Sequence, residues 1–299
     1  MSRRSRREVR FESVTFAYPG APTEALRDVS FDLGPGFCGV VGANGGGKST
    51  LLKLACGLLE PDSGQILSSR RGTYCAQRTD RAPAELEALL DASEGGARRL
   101  RGQLRLEEDW GERWATLSHG ERKRAQIAVA LWLQPQVLAL DEPENHLDAS
   151  ARALLVGALA DYGGVGLLVS HDRQLLDALC ERSLFVEGGS VTLRGGGYSA
   201  AADQRHLEEE SQRRSYEEHR RALRSLQKEQ RRRAEKARGA KARLSKRNLG
   251  PKDSAGRARL DAARLSGKDA RAGQLLRQLD ARLERERGAV RAHEPRKRY

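Results

Sequence analysis

The stretch GANGGGKST, Gly42 to Thr50, constrains the fold of this chain more than any other. It matches G-x-x-x-x-G-K-[ST] and follows the apolar run FCGVV, residues 37–41. The positions after it, LLKLACGLL, repeat at helical spacing. Strand, glycine loop and helix in that order predict a parallel α/β sheet whose loop turns several backbone N–H groups inward. The following helix points its N-terminus at the same spot, which makes a cradle for phosphate. Gly42, Ala43, Asn44, Gly45, Gly46, Gly47 and Thr50 build the loop and the helix start. Lys48 is expected to reach the β- and γ-phosphates of a nucleotide, and the Ser49 hydroxyl to ligate Mg²⁺.

A second constraint is the distribution of charge. Residues 1–203 hold 24 Lys and Arg against 27 Asp and Glu, whereas residues 204–299 hold 30 against 14. The whole excess of +13 therefore sits in the C-terminal third, which predicts a near-neutral body, 1–203, and a basic extension, 204–299. Cys38, Cys56, Cys75 and Cys180 form no C-x-x-C pair, which argues against a zinc site and suits a reducing compartment. The N-terminus lacks the apolar core of a signal peptide, and no run of apolar residues is long enough to span a bilayer. A cytoplasmic location is the expectation.

The body carries further motifs in a fixed order. VLAL, residues 137–140, reads as a strand buried on both faces, and it ends in Asp141 and Glu142. At that strand tip Asp141 is placed to hold Mg²⁺ through water, and Glu142 to polarise an attacking water. ATLSHGERKRAQIAVAL opens a helix with Ser118 three residues before Glu121, the spacing of a capping box. LLVSHD ends another apolar strand at His171, YCAQ ends in Gln77, and FAYPG carries Tyr18 upstream of the loop.

Together these motifs resemble the ATP-binding cassette (ABC) ATPases over residues 8 to about 200. LSHGE, residues 117–121, is similar to their signature LSGGQ or LSGGE, with His119 in place of a glycine. The resemblance implies a P-loop cassette with an antiparallel β subdomain and a helical subdomain, using ATP and Mg²⁺. It implies that Tyr18 stacks on adenine and that Gln77 couples the γ-phosphate and Mg²⁺ to the helical subdomain. It further implies that His171 contacts the γ-phosphate. Ser118, His119 and Gly120 would then complete a site in trans on a second cassette, so that ATP joins the two and hydrolysis releases them. This chain has one cassette and stops at HEPRKRY, so the second is expected from a missing C-terminal half or from another copy of the chain.

PENHLD, residues 143–148, resembles the EPTNHLD of the ABC-F subfamily of translation factors, with Glu144 standing where threonine is usual. Only about 40 residues separate Gln77 from Leu117, which is short for a subdomain that grips a membrane partner. After GGGYSAAADQR, similar to the entry of the ABC-F interdomain linker, Tyr216, Leu223, Gln230, Ala237 and Leu244 fall seven apart. Ala272, Leu279 and Glu286 do likewise, with Leu276, Leu283 and Val290 as a second row. Gly250-Pro251 marks a turn between them, which predicts a long antiparallel helical hairpin over about 203–247 and 254–291. Charge on that hairpin suits phosphate contacts with folded RNA, and the resemblance implies the ribosome as partner. Two other readings stay open at this point: the ATPase subunit of a membrane transporter, and a nucleic-acid clamp with little turnover.

Overall fold

The computed structural model describes residues 8–68, 72–243 and 268–294. In chain order the elements are β1 Val9–Phe16, β2 Leu26–Leu33, β3 Gly36–Gly42, α1 Lys48–Ala55, β4 Ser63–Ser68, β5 Thr73–Cys75, α2 Leu86–Asp91 and α3 Gly95–Leu104. They continue with α4 His119–Trp132, β6 Val137–Asp141, α5 Ala149–Ala160, β7 Val165–Val169, α6 Arg173–Leu179, β8 Cys180–Glu187, β9 Ser190–Gly195 and α7 Tyr198–Arg243. The last is α8, Lys268–Ala292. Two compact units divide between Gln204 and Arg205.

The first unit holds two sheets. An antiparallel one has the order β2-β1-β4, and a six-stranded one has the order β5-β6-β7-β3-β8-β9. β3, the strand that feeds the glycine loop, lies near the centre of the larger sheet with parallel neighbours β7 and β8. All five residues of β6 and of β7 are buried, as expected for strands covered on both faces. Alternation along each strand divides the core. Val137 and Ala139 of β6 join Leu167 and Val169 of β7 in a cluster with α1 and the antiparallel sheet. Leu138, Leu140 and Leu168 point the other way, into a cluster with α4, α5 and the helical segment that carries Trp110 and Trp114. The sheet is thus the middle of three layers, and its loops at the C-terminal ends of β3, β6 and β7 are set by packing on both sides.

β1 departs from simple alternation. Its pairing with β2 shifts register between Phe11 and Val14, where Ser13 takes φ 47°, a bulge that returns Val14 and Phe16 to the buried face. Between Gln77 and Leu117 the chain forms α2, α3 and two short 3₁₀ turns around Leu86, Leu89, Ala97, Leu104 and Trp110, all fully buried. This is the short helical subdomain expected from the sequence.

In the second unit α7 and α8 run antiparallel. His219 hydrogen-bonds Glu286 at 2.8 Å and Gln230 donates to Asp280 at 2.6 Å, while Leu226 packs with Leu279 and Leu283 between them. Later residues of α7 thus meet earlier residues of α8. The thin seam, with Leu223 packed against it, contains Leu223, Gln230, Leu279, Leu283 and Glu286 of the expected rows. Leu226 and His219 lie outside those rows; helices pack through i, i+3 and i+4 neighbours, so 219, 223, 226 and 230 form one face. The Gly250-Pro251 turn and Leu244 lie outside the described residues, as do the side chains of Ala237, Ala272 and Leu276. The four cysteines are buried and unpaired, and burial pushes each thiol up to about 12, so none is a ready nucleophile.

Candidate active site

α1 begins at Lys48 directly behind Gly47, which has φ 101° and supplies no side-chain cap. The first-turn N–H groups of α1 are therefore left for an anion. A Cβ at Gly47 would lie 2.7 Å from the Ala25 carbonyl oxygen, and positive φ adds strain for any other residue. Gly47→Ala should weaken retention of ATP at least about tenfold, since forced left-handed backbone costs on the order of 1–3 kcal/mol. Titration with a fluorescent nucleotide measures this, and unchanged affinity would refute the role given to the loop.

The loop, the ends of β6 and β7, and the segment after β5 enclose a cavity of about 480 Å³. Asn44, Gly45, Gly47, Lys48 and Ser49 line one side. Gln77, Asp141, Glu142 and His171 line the other. Nine of the residues singled out from sequence thus converge on one space, although they come from four separate stretches of chain. Gly42, Ala43, Gly46 and Thr50 support the loop from outside the cavity, and Ser118, His119 and Gly120 do not line it.

Lys48 is buried, with Nζ on the carbonyl oxygens of Gly42 at 2.9 Å and Ala43 at 3.1 Å. Those neutral acceptors hold the ammonium at the mouth of the phosphate cradle, from which a phosphate oxygen can draw it. Asp141 is buried at the tip of β6, and Tyr74 of β5 donates its hydroxyl to Oδ2 at 2.8 Å. Burial and then that bond to a carboxylate raise the Tyr74 phenol well above its ordinary value, so it stays a donor.

Glu142 takes φ 49°, an uncommon backbone for a side chain of this size. Its Oε2 accepts from Gln77 Nε2 at 2.8 Å and from Asn145 Nδ2 at 2.7 Å. Its Oε1 faces His171 Nε2 at 3.3 Å. Two amides on one oxygen fix the carboxylate, and the other oxygen is left on the cavity side with the imidazole.

Tyr18 reaches the helix start through a 3.1 Å contact between its hydroxyl and Thr50 Oγ1. Its ring meets Phe16 edge-on at 5.0 Å and is 41% exposed. The signature helix α4 is capped as expected: Ser118 Oγ accepts from the Glu121 N–H at 3.3 Å, and Glu121 returns the bond to the Ser118 N–H at 2.7 Å. His119 contacts Thr79 Oγ1 at 3.3 Å and its ring lies 4.8 Å from that of His146.

Three residues of the site were not singled out by sequence reasoning. Tyr74 lies within YCAQ and Asn145 within NHLD, so both were adjacent to recognised positions. Lys123 is the third. It is 1% exposed on α4 and donates to the carbonyls of Ala76 at 2.7 Å and Gln77 at 3.1 Å. Burial lowers its pKa, opposed by nearby negative charge that includes Asp141 and Glu144. It ties the signature helix to the backbone that carries Gln77.

Comparison with known proteins gives a consistent picture. Residues 26–145 match the family model described as ABC transporter. The chain is 32% identical over 253 residues to the tylosin resistance ATP-binding protein TlrC of Streptomyces fradiae, covering 66% of this chain and 46% of TlrC. It is 32% identical over 209 residues to a putative ABC transporter ATP-binding protein of Nitratidesulfovibrio vulgaris, covering 60% of this chain and 76% of that one. Among solved structures, the ATP-binding cassette MJ0796, a dimer in a post-hydrolysis state with ADP and Pi, superposes with a TM-score of 0.52. That match has 24% identity and covers 62% of this chain and 98% of MJ0796. The aligned region spans less than half the length of several curated relatives, 46% for TlrC and 32% for the Uup protein of Caulobacter vibrioides.

Proposed function

Because this chain belongs to the family of ABC ATP-binding proteins, we propose that it is of the ABC-F type and acts as an ATP-driven switch on the ribosome. It acts in the cytoplasm, in translation or in protection from ribosome-targeting antibiotics; the likeness to a tylosin resistance protein supports the second. Residues 1–203 serve as the cassette and 204–299 as a basic arm. The observation that carries this reading is the position of Glu142, fixed by Gln77 and Asn145 beside His171 and across one cavity from Lys48 and Ser49.

The Ser49 hydroxyl, the buried Asp141 carboxylate and the Gln77 amide lining that cavity are oxygen donors of the kind Mg²⁺ takes. When bound, Mg²⁺ neutralises charge on the transferring phosphate. Lys48 moves its ammonium from the Gly42 and Ala43 carbonyls to the β- and γ-phosphates. Glu142 Oε1 accepts the proton of the attacking water, while Oε2 stays engaged with the two amides. His171 Nε2, beside Oε1, orients the γ-phosphate, and Tyr18 offers its half-exposed ring to adenine. Ser118, His119 and Gly120, which lie outside this chain's own cavity, serve the nucleotide of a second cassette. That cassette comes from another copy or from a longer form of the protein. Loss of the γ-phosphate removes contacts made only in the closed pair, and that difference drives opening.

The arm suits folded RNA. α7 has 46 residues, about 70 Å of helix at 1.5 Å per residue, and belongs to the part of the chain that carries the charge excess. Cosedimentation with purified ribosomes tests the whole reading. With ribosomes held well below the Kd, a non-hydrolysable ATP analogue should retain about tenfold more of the chain on ribosomes than ADP does, as a difference in affinity of about tenfold gives. Equal retention with both nucleotides, or retention on membranes instead, would overturn the proposal.

A further inference from the structure

Glu144 is 7% exposed and does not line the cavity, yet it is bonded to one of its walls. It lies in the loop after β6, and both of its side-chain hydrogen bonds go to the loop after β7. Its Oε1 accepts from the Ser170 hydroxyl at 2.5 Å and from the His171 backbone N–H at 2.9 Å. Ser170, itself buried, uses the same hydroxyl oxygen to accept from the Asp172 N–H at 2.9 Å. Asp172 in turn caps α6 through the N–H groups of Gln174 and Leu175. The second carboxylate oxygen, Oε2, is buried without a partner.

A buried carboxylate with an unsatisfied oxygen disfavours folding, so what Glu144 achieves must come from the two bonds it makes. Both are charge-assisted and converge on one oxygen, which makes them shorter and more directional than bonds to a neutral acceptor. The His171 side chain needs such support because it is 60% exposed, with its Nε2 resting 3.3 Å from Glu142 Oε1. Side-chain packing cannot fix so open a ring, and its backbone sets where it points. We infer that Glu144 is a positioning residue that holds His171 toward Glu142 by tying the Ser170 hydroxyl and the His171 amide to the end of β6. Lys123, also buried, is near enough to Glu144 for their opposite charges to attract. The inference rests on the ATPase reading for its effect on turnover, though not for the tether itself.

The test uses the full chain and three variants. Amide hydrogen exchange at His171, resolved by residue, reports the tether directly, and ATP turnover reports its consequence. Glu144→Ala should speed exchange at His171 about tenfold or more while leaving the amides of β6 unchanged, because a lost tether opens locally. It should lower kcat about tenfold with little change in KM, the pattern of a group misplaced in the transition state. Glu144→Gln keeps an acceptor oxygen in the same place and should restore both readouts to within about threefold of the parent. Ser170→Ala removes one of the two donors and should also speed exchange at His171, which keeps the test decisive if the alanine variant at 144 does not fold. Unchanged exchange in Glu144→Ala and Ser170→Ala, or a glutamine variant as impaired as alanine, would overturn the inference. A parent chain that hydrolyses no ATP, alone or with a second cassette supplied, would instead sink the ATPase reading, with exchange still deciding the tether.

Discussion

Glu142→Gln is expected to lower ATP turnover by about 10²–10⁴-fold, the usual worth of a positioned general base. Binding of ATP should be unaffected. The substitution keeps the shape of the side chain and one carbonyl oxygen to accept from Gln77 and Asn145, whose bonds of 2.8 and 2.7 Å fix the group in place. What it removes is the lone pair of Oε1 on the cavity side, next to His171 Nε2. Turnover should fall without a matching rise in KM, and the chain should accumulate on ribosomes with ATP, because the closed state can form but cannot be left. Phosphate release and nucleotide retention measure the two halves of this claim separately. Parent-like turnover in the variant would remove Glu142 from catalysis, and lost retention would mean that the substitution damaged the cradle instead.

Glu142 was legible in the sequence, but the contacts that hold it and its neighbours were not. GANGGGKST, VLALDE and LSHGE were legible because each encodes a local element together with its end: a strand, a turn demanding glycine, a capped helix. The convergence of the first two on one cavity follows from the rule that parallel strands place their functional loops at one edge. Contacts between those loops were less accessible. The bond from Tyr74 to Asp141 depends on β5 lying beside β6, a strand order that no spacing along the chain reveals. Glu144 reads in the sequence as a departure from the usual threonine, and only the spatial approach of the β7 end gives it partners. Lys123 reads as one cation among several in ERKRAQ, and only the packing of α4 shows that it is buried on the backbone of Gln77. In the hairpin, seven-residue rows located part of the seam, but Leu226 and His219 enter through the rotation between two crossing helices. Motif and period are local properties, whereas these contacts are properties of neighbours in space.

Removing charge from α7 should weaken ribosome binding in a way that salt identifies. Arg231 and Arg232 stand exposed on this helix, in the run QRRRAEK. A cation that neutralises an RNA phosphate releases a counterion, so log K falls with log salt by about one unit of slope for each such contact. Arg231→Ala with Arg232→Ala should therefore reduce the slope by about two if both touch phosphate. At physiological ionic strength the loss should be about tenfold or more in affinity, with nucleotide binding unchanged. Arg233 offers an internal comparison, because it is already paired with Glu229 and shares its charge within the helix. Its replacement by alanine should change the slope less than either neighbour. A slope that stays constant in the double variant would show that charge on this face of the arm does not meet RNA. Uniform weakening without any change of slope would point to a damaged helix rather than to lost phosphate contacts.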